Sequence, residues 1–209
     1  MFYRVRTITP EGLRHSGAEL LAKAAAAGFV PDLIIGVRTG GYYLAEQMED
    51  VLAHKVPLLP ITCRRPGTAK KEKSGLFKRV LRHMPYLVTN PLRIAEHIYL
   101  TSGQKSKPRK EFNPPEEEVL ALRAKLAELQ AGLGRPVRIL IADDAIDSGA
   151  TLVAVKSLVE AEARLAAPAG ADVRLAAVTV TTKAPLIEPD FLLYRMVLCR
   201  FSWSFDYHG

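Results

Sequence analysis

Ile139-Leu-Ile-Ala-Asp-Asp-Ala-Ile-Asp-Ser-Gly-Ala-Thr-Leu152 sets an apolar run, three carboxylates and a cluster of small residues in direct succession. The run from Val137 to Ala142 is short and unbroken, as a strand covered on both faces must be. From Gly149 to Ala166 apolar residues recur at helical spacing. A buried strand that turns into a helix through acids and small residues belongs to an open α/β sheet. Such sheets bind ligands at the carboxyl ends of their strands.

The rest of the chain alternates in the same way. Helices are expected over Glu11–Ala27, ended by Gly28, and from Tyr42 to about Ala53. A third runs from Pro114-Pro115 and Glu116–Glu118 to about Gln130, with proline in the first turn and acids at the positive end of the dipole. Strands are expected over Asp32–Val37, Val56–Cys63, Val173–Thr181 and Phe191–Cys199, and Pro57 and Pro60 place the second of these toward an edge. Alternating strands and helices pack as a parallel sheet flanked by helices. Residues 1–209 are read as one domain. Between Arg64 and Asn113 the pattern is weaker, with helical tendency at Leu76–His83 and Pro91–Ile98 and a polar loop at Thr101–Pro108.

Charge is concentrated in that weak stretch. The chain carries a net +7, yet Arg64 to Lys110 holds 13 Lys or Arg against 2 acids, and the remainder is −4. Such a stretch is a solvated segment or a site for polyanions such as nucleic acid, a membrane surface or a highly phosphorylated small molecule. No apolar run reaches the about 18 residues of a membrane span. The start, Met-Phe-Tyr-Arg-Val-Arg, lacks the apolar core of a signal peptide, so a cytoplasmic protein is expected. Cys63 and Cys199 fall in expected strands, and two free thiols suit a reducing compartment.

The chemistry of the opening stretch follows from its residues. The first N–H groups of a helix lack internal partners and carry partial positive charge. Ser148, Gly149, Ala150 and Thr151 are small enough for a phosphate to reach them, and two bear hydroxyls. Asp143 and Asp144 would repel a phosphate. They suit ribose hydroxyls or a Mg²⁺ shared with the ligand. A sugar phosphate satisfies both halves. Gly36-Val-Arg-Thr-Gly-Gly41 forms a second strand-to-helix turn, though two glycines after a strand often make only a tight turn.

Asp143-Asp144-Ala-Ile-Asp147-Ser148-Gly149-Ala150-Thr151 resembles the signature of the type I phosphoribosyltransferases. That resemblance implies phosphoribosyl pyrophosphate (PRPP) as donor. Asp143 and Asp144 would bind the ribose hydroxyls and Mg²⁺, Ser148–Thr151 the 5′-phosphate, and Asp147 would move a proton near N7 of a purine. Arg38-Thr39-Gly40-Gly41 resembles the family's pyrophosphate loop, in which a non-proline cis peptide is common; here it would be Arg38–Thr39. Many relatives have a basic residue at the position of Thr39, whereas here Arg38 comes one place earlier. Lys183, Trp203 and Asp206 match in order the base pocket of the xanthine-guanine and hypoxanthine-guanine enzymes, which read purine O6, stack on the ring and read its N1/N2 edge. Ser202-Trp203-Ser204 departs from the usual proline- and acid-flanked tryptophan.

The resemblance therefore implies a cytoplasmic, homodimeric enzyme with a small hood at residues 183–209 and a basic lid at 64–113. It would transfer phosphoribose to a 6-oxopurine with release of pyrophosphate. A PRPP-sensing, nucleic-acid-binding regulator of the same fold, or an enzyme for a pyrimidine or other acceptor, would share the PRPP site and differ in the insert or the hood.

Overall fold

The computed structural model describes residues 3–52, 54–63, 84–102 and 112–208. Its centre is a five-stranded, wholly parallel sheet. The chain runs β1 (Arg4–Ile8), α1 (Pro10–Ala26), β2 (Leu33–Arg38), α2 (Gly40–Val51), β3 (Leu58–Thr62), α3 (Tyr86–Ser102), α4 (Glu116–Leu133), β4 (Val137–Ile146), α5 (Ala150–Ala166), β5 (Ala171–Val180), β6 (Phe191–Arg195) and β7 (Val197–Phe201). The sheet order is β3-β2-β4-β5-β6, with β4 central and the proline-bearing β3 at an edge.

The apolar run of β4 is continuous because both its faces are covered. Ile139 and Ile141 point to the side where α4 and α5 supply Leu122, Leu126, Leu152, Val155 and Val159. Leu140 and Ala142 point to the side where α1 and α2 supply Leu20, Leu21, Leu44 and Met48. Burying each such side chain contributes roughly 1.5–3 kcal/mol. Thr9 caps α1 by accepting from the Gly12 N–H, and the Glu118 carboxylate receives the Thr62 N–H and hydroxyl at the end of β3.

Three features correct the expectations. The apolar stretch Phe191–Cys199 is two strands that part at Met196, whose φ is 60°. There the Met196 N–H bonds to Val180 O, and the chain leaves the main sheet. A single arginine, Arg195, interrupts the apolar run just before the break, and one polar residue does not by itself mark a strand end. Beyond it, β7 pairs in parallel with β1, a strand the alternating Arg4 and Arg6 had hidden. Third, part of the insert is a hood element. Helix α3 begins at Tyr86, passes through Pro91, and turns polar residues inward. Arg93 bonds to Asp206 and to Cys199 O, while Thr89 and Asn90 receive Nη2 of Arg200. The hood is thus assembled from β1, α3 and the chain after β6. The expected helix at Leu76–His83 lies outside the described residues, as does the lid reading of 64–83 and 103–111. Of the expected loop Thr101–Pro108, Thr101 and Ser102 belong to α3 and the rest lies outside. Among the described residues no helix is long and apolar enough to cross a membrane. Cys63 and Cys199 are not joined.

Candidate active site

Strands β2, β4 and β5 end at one edge of the sheet, and the loops that leave them carry most of the candidate residues. β4 is longer than its apolar run. Asp143 and Asp144 lie within it, with Asp143 opposite Ala177 of β5. Asp143 is 9% exposed, and its Oδ1 accepts the Asp144 N–H at 3.0 Å.

The glycines after β2 press directly against these acids. A Cβ at Gly41 would stand 2.5 Å from Ala142 O and 2.8 Å from Asp143 Cα; one at Gly40 would overlap the Asp144 carboxylate. Two motifs about a hundred residues apart in the chain thus form one wall, closed only because glycine has no side chain. The Arg38–Thr39 peptide is cis, at the bond the resemblance implies. Arg38 is exposed and lies over the Tyr42 ring, 5.5 Å from its centroid.

Asp144 is enclosed further by Trp203, whose indole N–H donates to it. Burial pushes the Asp144 carboxyl above its ordinary value, against hydrogen bonds with Asp143, the backbone and Trp203. The Trp203 ring stacks parallel to Phe201 at 4.8 Å and meets Tyr43 at 5.1 Å.

The turn into α5 is built from small residues. Gly149 has φ 81° and sits at the N-cap position of α5, where it offers no side chain of its own. The Ser148 hydroxyl lies 3.4 Å from the Ala150 N–H. Asp147 stands just before this turn, and its Oδ1 accepts from the Thr181 hydroxyl at 2.7 Å. Lys183 is exposed on the loop that follows β5. That loop is tied to the turn before α5, since the Leu186 N–H bonds to Ser148 O at 2.8 Å and the Leu186 and Ile187 nitrogens lie 3.2 Å from where a Gly149 Cβ would be.

Asp206, expected at the base pocket, is engaged by arginines in the hood. It is 2% exposed and anchors the hood: Arg200 Nε reaches Oδ2 at 2.9 Å, and Arg93 bonds both oxygens. Burial works to raise its carboxyl, but bonds and charges from Arg93 and Arg200 hold it below the ordinary carboxylate value. Arg200 itself is 1% exposed, bonds Thr7, and lies over the Tyr86 ring at 4.1 Å. A buried guanidinium at Arg200 requires a paired carboxylate, which Asp206 supplies. An arginine six residues before the acid was the one available signal. Thr181, the partner of Asp147, carries no local signal in the sequence beyond its place at the end of the expected strand Val173–Thr181.

The fold aligns with a purine phosphoribosyltransferase from Pyrococcus horikoshii Ot3 at 17% identity and a TM-score of 0.53, covering 97% of this chain and 95% of that one. A xanthine-guanine-hypoxanthine phosphoribosyltransferase from Helicobacter pylori aligns at 13% identity and a TM-score of 0.49, covering 95% and 94%. A search of curated proteins finds no match. The family described as phosphoribosyl transferase domain matches residues 11–208, nearly the whole of the alternating sheet and its hood, and by that match this chain belongs to it and is a phosphoribosyltransferase.

Proposed function

We propose that the enzyme transfers the phosphoribosyl group of PRPP to a ring nitrogen of a 6-oxopurine and releases pyrophosphate, acting as a cytoplasmic homodimer. The packing of Gly40 and Gly41 against Asp143 and Asp144 carries this reading. It sets a loop of backbone N–H groups beside a pair of carboxylates, as a substrate with both a pyrophosphate and a ribose requires. Ser148–Thr151 would receive the 5′-phosphate at the start of α5, where the N-cap glycine leaves room for it. Asp143 and Asp144 would accept from the ribose hydroxyls. Arg38–Gly41 would hold the pyrophosphate as charge develops on it, which is electrostatic stabilisation by preorganised donors.

Mg²⁺ fits this donor set when it arrives with its ligand. Among the described residues no group of three or more His, Cys, Asp or Glu could hold a metal. Mg²⁺ commonly takes one or two carboxylates together with substrate phosphates and water. Held by Asp143 and Asp144, it would neutralise charge on the leaving group.

On the acceptor side, Lys183 would donate to O6, and the face of Trp203 opposite Phe201 would stack on the purine. Asp147 would take the proton of the base nitrogen. The purine acceptor is also what the printed name of the Pyrococcus structure describes for that protein. The test is a panel of purine and pyrimidine bases incubated with PRPP and Mg²⁺ and scored for pyrophosphate release. Release with hypoxanthine, guanine or xanthine alone is expected. Release only with a pyrimidine moves the acceptor, and release with no base refutes the reaction.

A further inference from the structure

We infer that Thr181 is the positioning residue for Asp147, a role that rests on the acid/base task proposed for that carboxylate. Thr181 is 3% exposed and follows the last residue of β5. Its N–H bonds to Ile146 O at 2.9 Å, which extends the β4–β5 ladder by one residue and fixes where its side chain stands. The hydroxyl lies 2.7 Å from Asp147 Oδ1 and 3.3 Å from Ile146 O. It has one proton to donate, and the nearer, charged oxygen takes it. One oxygen of Asp147 is therefore held at the end of the inner strand β5, and the other is left to meet a base.

Thr181→Val separates this role from a structural one. It keeps the shape of the side chain and removes only the hydroxyl. Ile146 O retains the Thr181 N–H, and partly exposed Asp147 can turn to water, so no buried group is orphaned. A displacement of ~1 Å in a reacting group costs up to about a hundredfold in rate. Steady-state kinetics on Thr181→Val should show kcat lowered by about tenfold to a hundredfold, with KM for PRPP unchanged. Thr181→Ser, which returns the hydroxyl, should restore most of the rate.

Adding Thr181→Val to Asp147→Asn should cost nothing more, because groups that act as a unit are not additive. A wild-type kcat in Thr181→Val, or losses that multiply in the double variant, overturns the inference. If the wild type releases no pyrophosphate with any base, the proposed reaction fails, and a crystal structure of Thr181→Val then decides the positioning claim. Asp147 swung to a new rotamer supports it, and Asp147 unmoved overturns it.

Discussion

Gly40→Ala places a methyl group where the structure has none to spare. The new Cβ would overlap Oδ2 and Cγ of Asp144 and lie 2.6 Å from Oδ1. Carbon and oxygen approach to about 3.3 Å even in favourable C–H···O contacts, so the carboxylate must retreat by roughly 1 Å. Asp144 has only two rotatable bonds, stands in a central strand, and is enclosed by Asp143 and Trp203. Either it turns out of the site, or the start of α2 lifts away. Overpacking of this kind costs about 1–3 kcal/mol. For a chain of this length each kcal/mol lowers Tm by about 2–4 °C. In the reaction, the same displacement moves the group that would bind ribose, and kcat/KM for PRPP should fall by about a hundredfold. Pyrophosphate release and thermal melting read the two effects. Gly132→Ala is the control: its added Cβ meets nothing within 4 Å inside α4, so activity should persist, with Tm unchanged or raised by up to ~1 kcal/mol of helix propensity. A Gly40→Ala enzyme with wild-type kcat/KM and Tm would refute the account of the wall.

Other expectations follow from single side chains. Asp144→Asn removes a charge that burial disfavours, so it should raise the Tm of the ligand-free protein by about 0.5–2 kcal/mol of stability while weakening PRPP binding; a lower Tm counts against this. Asp206→Asn leaves two guanidiniums without their carboxylate and should cost about 3–5 kcal/mol, read by chemical denaturation. Because the folded Asp206 carboxyl lies below its unfolded value, its contribution is present above about pH 4 and is lost as pH falls further. The acid limb of wild-type stability should therefore flatten in Asp206→Asn. Cys199, pushed up to about 12 by burial, should resist thiol reagents at pH 8 until the protein unfolds. Asp147→Asn should lower kcat by about a hundredfold or more while the rise in Tm on adding PRPP and Mg²⁺ persists; unchanged turnover refutes its role.

Most of the sheet was legible in the chain because its elements are written in local periodicity. The unbroken run of β4, the helical spacing after Gly149, the prolines of β3 and the proline–acid start of α4 each predict an element from a few neighbouring residues. The site was legible in part. The acids and the small-residue turn are contiguous, so their placement at the end of β4 can be read in one stretch. The break at Met196 was not, since no glycine or asparagine marks it. β1 was hidden by its arginines, and the inward polar face of α3 by the basic stretch around it.

By itself, the sequence determined that a parallel α/β sheet would carry acids and a small-residue turn at the end of its central strand. Only the tertiary structure decided what those residues meet. It set Gly40 and Gly41 against Asp143 and Asp144, joined Trp203 to Asp144, gave Asp147 its Thr181, and paired Asp206 with Arg93 and Arg200. The physical reason is range. Periodicity, capping and turn chemistry act over a few residues, whereas these pairings join stretches far apart in the chain and exist only once the two apolar faces of the sheet are buried.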